Sequence, residues 1–248
     1  MQFSVQMYSV REALASDFQG TVSRLVDLGL THAEPYHLVE FREELVRARE
    51  QFAIDFPSAH QSFLGDVDFD EILEAAQAVG VQYLVDPHWK PEDWTDAAAV
   101  RELAATLNAR AASAAEAGLR VGYHNHQFEL ESRLEGRSAL ELFADELDPQ
   151  VILEVDTYWA AVGGADVPSL LDALGDRVQL VHLKDGDLSA DPAAQLPLGE
   201  GKMPLAQTLD ASAKAAFGVI EFDAYAGDMF EGIAASLAYL NRTVDTAA

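Results

Sequence analysis

The sequence predicts an α/β protein made of a single (β/α)8 barrel, with residues 1–248 forming one domain. Three observations carry that expectation. Short β-rich runs alternate with amphipathic Ala/Leu/Glu-rich segments, and the alternation never breaks. Eight such pairs in 248 residues is the arithmetic of a closed parallel barrel rather than an open doubly wound sheet. Neither a G-x-G-x-x-G turn after the first strand nor a P-loop occurs, so the main nucleotide-binding readings of an open sheet lose their anchor.

Taken in order, the strand-like runs are Phe3–Tyr8, Thr31–Pro35, Ile54–His60, Tyr83–Asp86, Arg120–His124, Val151–Asp156, Val178–Leu183 and Gly218–Phe222. Between them lie helical patterns such as Thr21–Leu28 and Phe69–Val79, where apolar residues recur three or four positions apart. Asp17 and Asp68 precede two of these segments as start signals. Gly29, Gly80 and Gly118 each sit just before a new strand, where a helix end favours a residue tolerant of positive φ. Asp187–Met203 is the longest non-helical stretch, and Pro197, Gly199 and Gly201 lie near its end; a connection of that length suggests a binding loop or lid.

Acids outnumber bases by 42 to 16, for a formal net charge of −26. That excess argues against a nucleic-acid backbone or an anionic membrane surface as partner, since both need basic patches. Cysteine is absent, which excludes disulfides, thiolate nucleophiles and Cys-bound zinc. Arg11 and Glu12 interrupt the first apolar run, so no secretory signal is read there, and no run is long enough to span a membrane. A cytoplasmic globular protein is expected.

In a parallel barrel, active sites gather at the C-terminal ends of the strands. Four consecutive strands end in polar residues here: His124-Asn125-His126, Glu154-Val155-Asp156, His182-Leu183-Lys184 and Glu221-Phe222-Asp223. Side chains alternate faces along a strand, so each outer pair shares a face. The apolar neighbours Val155, Leu183 and Phe222 are expected to face the helices, which turns the imidazoles and carboxylates inward. Several carboxylates buried together need a counter-charge. A divalent metal supplies one, and this nitrogen and oxygen donor set suits Mn, Fe, Co, Ni, Zn or Mg.

The chain resembles the xylose isomerase-like TIM barrels, a superfamily of sugar phosphate isomerases/epimerases, inosose dehydratases and AP endonuclease family 2 relatives. The resemblance rests on Val5-Gln6-Met7-Tyr8-Ser9-Val10-Arg11, Tyr123-His124-Asn125-His126, His182-Leu183-Lys184-Asp185 and Glu221-Phe222-Asp223. It implies one divalent ion (Mn, Mg, Co, Fe or Zn) held from the last four strands. By position Asp156, His182 and Glu221 match the ligands, and His124 stands where many relatives carry glutamate. Glu154, on the same face as Asp156, is the reserve carboxylate. Trp159 stands where several epimerases carry a histidine.

That resemblance implies a metal-dependent sugar or sugar phosphate isomerase or epimerase working through an enediolate. Glu221, Glu154 or His126 would move the proton, with Lys184 as a possible oxyanion stabiliser. Glu34, His60, His88 and Trp159 are candidates to line the sugar pocket, and Tyr8, Trp89 and Trp159 could offer aromatic surface to a pyranose. His32 and His37 receive no role. No organic cofactor is expected. The expected partner is a small sugar or polyol, with pairing into a homo-oligomer left open. Two other readings stand beside this one: a dehydratase or lyase acting on a keto-inositol or 3-keto-glycoside, and a non-catalytic sugar-binding barrel.

Overall fold

The computed structural model describes residues 1–247. Its main sheet has seven parallel strands: β1 (Gln2–Val5), β2 (Ser58–His60), β3 (Tyr83–Asp86), β4 (Arg120–His124), β5 (Ile152–Asp156), β6 (Val178–Leu183) and β7 (Phe217–Ile220). They run in the order β1-β7-β6-β5-β4-β3-β2. The two edges meet through residues 31–36, where Gln6 bridges Glu34 and Tyr36 bridges His60. Glu34 N donates to Val5 O at 2.8 Å, and His60 N donates to Pro35 O at 2.8 Å. The ring is thereby closed, with 31–36 as its eighth member.

That eighth member is held by separate bridges rather than a continuous ladder because Pro35 has no N–H to give. Pro57 does the same to the expected strand Ile54–His60, of which Ser58–His60 pairs regularly and Asp55 makes a lone bridge to His32. The first strand stops at Val5 rather than Tyr8. Gln6 turns its side chain onto Tyr8 N at 3.0 Å and starts a 3-10 turn over Met7–Val10. The last strand ends at Ile220, and Phe222 N donates to Ser9 Oγ at 3.0 Å instead of to a neighbouring strand.

Each member of the ring is followed by a helix: α1 (Phe18–Asp27), α2 (Arg42–Gln51), α3 (Phe69–Val79), α4 (Ala97–Glu116), α5 (Ala139–Glu146), α6 (Val167–Leu174), α7 (Leu205–Ala211) and α8 (Met229–Ala247). α1 begins three residues before the expected Thr21 because Asp17 caps it, accepting from Gly20 N at 2.9 Å. Asp68 caps α3 in the same way, and Gly80 closes it at φ 89°, a left-handed conformation that favours glycine. No helix among the described residues is long and apolar enough to cross a membrane.

Apolar side chains divide into two bodies. Leu84, Leu153, Val155, Val181, Leu183 and Ile220 point outward into the layer shared with the helices. Val85, Ile152, Leu180, Phe217 and Val219 point inward and fill the barrel axis as a separate plug. One position further along β5, β6 and β7 on that inward face come Glu154, His182 and Glu221. The polar cluster therefore rests on an apolar floor.

The loop after β6 is folded rather than open. Gln195–Leu196 pairs antiparallel with Asp185–Gly186. The Asp185 carboxylate, 1% exposed, gathers the rest. Its Oδ1 accepts from Gly186 N at 2.8 Å and Met203 N at 3.0 Å, and its Oδ2 accepts from Gly199 N and Gly201 N, both at 3.0 Å. A Cβ at Gly201 would run into that carboxylate, so the clasp needs glycine there.

Candidate active site

The inward faces of β2, β4, β5 and β6 bring His60, His124, Glu154 and His182 together directly above the plug. Glu154 is fully buried and its Oε2 is the hub: it lies 2.5 Å from His60 Nε2, 3.0 Å from His124 Nδ1 and 3.2 Å from His182 Nε2. Glu34, from the bridging segment, accepts at Oε1 from His182 Nε2 at 2.8 Å and Gln6 Nε2 at 2.8 Å. His182 Nδ1 meets Glu221 Oε2 at 2.6 Å.

These contacts set the charges. Burial alone would hold His182 low, but the Glu154 and Glu221 carboxylates override it and keep the imidazole well above its usual range. With carboxylates at both ring nitrogens, His182 satisfies them fully only as the doubly protonated cation. Burial opposes ionisation of Glu154, yet His182 and His60 hold it well below the usual carboxylate range. His124 goes the other way, pushed down to about 3 by burial and by the neighbouring His182. It is a neutral imidazole whose Nδ1 donates to Glu154, which leaves Nε2 with a bare lone pair.

A second tier lies above, toward the mouth. Lys184, 2% exposed, places Nζ 2.8 Å from Asp156 Oδ2, 2.6 Å from Glu221 Oε2 and 2.9 Å from Asp223 Oδ2. Burial works against its charge, and those three carboxylates hold the ammonium well above its usual range. Lys184 and His182 in turn keep Glu221 ionised against its burial. Asp156 is pushed up to about 6, by burial first. Its Oδ1 accepts from Trp159 N at 2.8 Å, and Asn125 Oδ1 accepts from its backbone N at 3.0 Å.

Two overlapping groups offer ligand atoms within 4.8 Å of one another: His60, His124, Glu154 and His182, and His124, Asp156, His182 and Glu221. In the first, Glu154 Oε2 already serves three imidazoles. The second carries the bare Nε2 of His124, and both His124 and Glu221 open onto the cavity above. A buried cluster that draws on Lys184 and a cationic His182 to balance its carboxylates is one that a divalent cation fits. Glu154 Oε1, buried without a hydrogen-bond partner on a carboxylate that His182 and His60 hold ionised, adds to the unmet negative charge.

The cavity encloses about 520 Å³. His88 and His126 form one wall, with their rings 5.2 Å apart, and His60 reaches the floor. His126 Nδ1 is buried without a partner, and burial and His124 hold the ring well below its usual pKa, so it stays neutral. Tyr8, Tyr36 and His37 form the opposite rim. Of the residues anticipated for the pocket, Glu34 lies beneath the floor, and Trp159 stands behind Asp223, donating from Nε1 to its Oδ2 at 3.2 Å. Neither lines the cavity, nor do Glu154 and Lys184, whose polar contacts lie within the two tiers. Trp89 is turned away, with Nε1 on Asp93 at 2.8 Å.

Three acidic residues matter here that sequence reasoning did not single out for the site. Asp223 lines the cavity, and its place on the same face as Glu221 was the available signal. Glu129 accepts from Tyr123 OH at 2.8 Å and from His126 N at 2.8 Å, fixing the loop that carries His126; burial pushes its carboxyl up to about 8. Asp86 holds Phe63 N at 2.7 Å, Leu64 N at 2.9 Å and His88 N at 3.2 Å.

The family model of the xylose isomerase-like TIM barrel matches residues 54–242. No curated protein matches the chain. Among solved structures, the chain is similar to a sugar phosphate isomerase/epimerase from Parabacteroides distasonis, with TM-score 0.82 and 20% identity over 96% of this chain and 93% of that one. It is also similar to the probable 3-DHS dehydratase AsbF of Bacillus anthracis, with TM-score 0.77 and 15% identity over 97% and 99%. A third is the IOLI protein with a bound zinc atom, with TM-score 0.74 and 14% identity over 99% and 97%.

Proposed function

Because the chain belongs to the xylose isomerase-like TIM barrel family, we propose that it is a divalent-metal-dependent isomerase or epimerase of a small sugar or polyol. One observation carries the reading. His124, Asp156, His182 and Glu221 present ligand atoms within 4.8 Å of one another, and two of them, His124 and Glu221, open onto a cavity that His88 and His126 also line.

His124 would bind through Nε2, already bare, and Asp156 and Glu221 through their carboxylates. His182 would contribute one ring nitrogen on losing its proton. A divalent ion bound there supplies Lewis acidity, polarising a sugar carbonyl and making the adjacent C–H more acidic. The chain's own residues do the rest. Glu154 orients three imidazoles from below. Lys184 fixes Asp156, Glu221 and Asp223 relative to one another. His126, neutral and on the cavity wall, is the group placed to take the proton from carbon and return it. Glu129 and Tyr123 hold the backbone that positions it.

Two measurements test the reading. Protein purified without added metal or chelator should contain close to one divalent ion per chain by elemental analysis. Incubated in deuterated water with ketoses, inososes and 3-keto-glycosides, it should exchange the hydrogen next to the carbonyl of at least one of them. Accumulation of an unsaturated product or a free aglycone would replace isomerisation with elimination. An occupied metal site with no exchange on any of these compounds would leave a sugar-binding barrel.

A further inference from the structure

Asp223 stands at the cavity wall with its two carboxylate oxygens in different situations. Oδ2 accepts from Gln195 Nε2 at 2.6 Å, Lys184 Nζ at 2.9 Å and Trp159 Nε1 at 3.2 Å. Oδ1 takes none of the hydrogen bonds among the described residues, and the side chain is 27% exposed. The backbone is pinned as well: Asp223 N donates to Gln195 Oε1 at 2.8 Å, and Asp223 O accepts from Arg11 Nη2 at 3.1 Å. One acceptor oxygen is thus left over on a rigid mount.

Cations near the cavity are already engaged. Lys184 is shared by three carboxylates. Arg11 donates to the carbonyls of Tyr8 and Asp223 and lies over the Tyr8 ring, 4.2 Å from its centroid. No lysine or arginine is among the described residues that line the cavity, whereas Glu221 and Asp223 both do. Beside them, where the first strand neighbours the last and Arg11 spans Tyr8 and Asp223, the rim is aromatic. Tyr8, 40% exposed, meets Tyr36 edge to face at 5.4 Å, and His37 at φ 49° turns the chain back beside them.

A phosphate group carries about −1.5 to −2 charge and offers acceptors only, so it needs donors and cations around it. A sugar hydroxyl donates to a carboxylate, and the C–H face of a sugar ring lies well on an aromatic surface. We propose that this cavity selects an uncharged sugar, one without a phosphate or carboxylate group, and that Asp223 Oδ1 is the hydroxyl acceptor that selects it. The inference rests on reading the cavity as a sugar site and narrows its substrate class.

The test uses protein loaded with magnesium or zinc and matched pairs of probes: D-fructose and D-fructose 6-phosphate, D-tagatose and D-tagatose 6-phosphate, with 2-keto-myo-inositol as a further neutral member. Binding is read by ligand-observed NMR in deuterated water. Neutral members should bind saturably, and each phosphorylated partner at least about tenfold more weakly. Asp223→Asn should weaken neutral binding by about tenfold to a hundredfold, the range for a hydrogen bond to a charged group, with metal content unchanged. A phosphorylated member binding as tightly as its neutral partner overturns the proposal, and so does a panel in which no neutral member saturates. Hydrogen exchange in the same tubes tests the isomerase reading separately: neutral binding without exchange removes that reading and leaves the selection standing.

Discussion

Replacing Asp185 with asparagine keeps the side chain's shape and removes its charge, so the variant isolates what the carboxylate does for the loop after β6. In the native protein two oxygens accept four backbone N–H groups at 2.8–3.0 Å in a site that is 1% exposed. An amide can serve only one of those pairs. Its NH2 group then faces either Gly199 N and Gly201 N or Gly186 N and Met203 N, donor against donor. Two hydrogen bonds are lost, and two buried N–H groups are stranded at about 1–3 kcal/mol each, or about 2–6 kcal/mol in all. The loop can open without the barrel unfolding, so the loss registers first as local opening. Backbone amides of Gly199, Gly201 and Met203 should exchange with deuterated water faster by about 30-fold to 10⁴-fold. Native-state exchange followed by mass spectrometry over residues 195–205 reads this directly. Protection equal to wild type in Asp185→Asn would show that the carboxylate is not what holds the loop.

Other outcomes follow from the same geometry. His182→Ala removes a nitrogen at the centre of both candidate ligand groups, and metal content by elemental analysis should fall sharply; an unchanged content would move the ion elsewhere. His126→Ala should lower substrate hydrogen exchange by about 10²–10⁴-fold, the scale of a positioned acid–base group, while metal content stays the same. Equal loss of both would make His126 structural instead. Burial pushes Asp86 from 3.8 up to about 6, so the folded protein binds this proton more tightly than the unfolded chain. The resulting stabilisation is complete below pH ~3.8 and is lost as the pH rises through about 6, for a change of about 3 kcal/mol. Urea unfolding of wild type against Asp86→Asn from pH 3.5 to 7.5 measures it, and a constant difference across that window would refute the assignment.

Much of this architecture is legible in the sequence because strand and helix periods differ and the alternation is regular. The pairs His124/His126, Glu154/Asp156, His182/Lys184 and Glu221/Asp223 could be placed on common faces from the two-residue period alone. What that period does not reveal is depth along the barrel axis. Glu154 and Lys184 share faces with cavity residues yet are spent on contacts within the cluster, and Trp159 stands behind Asp223. Contacts between distant segments were also hidden. Nothing local to Leu183-Lys184-Asp185-Gly186 shows that Asp185 will hold amides 14 to 18 residues further along. Pro35 and Pro57 were in plain view, but whether a proline ends a strand or only interrupts its pairing depends on the neighbour it faces.

Val85, Ile152, Leu180, Phe217 and Val219 stopper the barrel beneath Glu154 and His182, so the cluster meets the cavity on the opposite side, through His124 and Glu221. A sugar seated there, as proposed, would stand between His124 and Glu221 and the solvent. In the proposed isomerisation, the hydrogen taken from one carbon and the hydrogen delivered to another would then meet water only as fast as it passes the bound sugar. Label carried from substrate to product, rather than washed out into solvent, becomes a gauge of how completely the guest corks the room it enters.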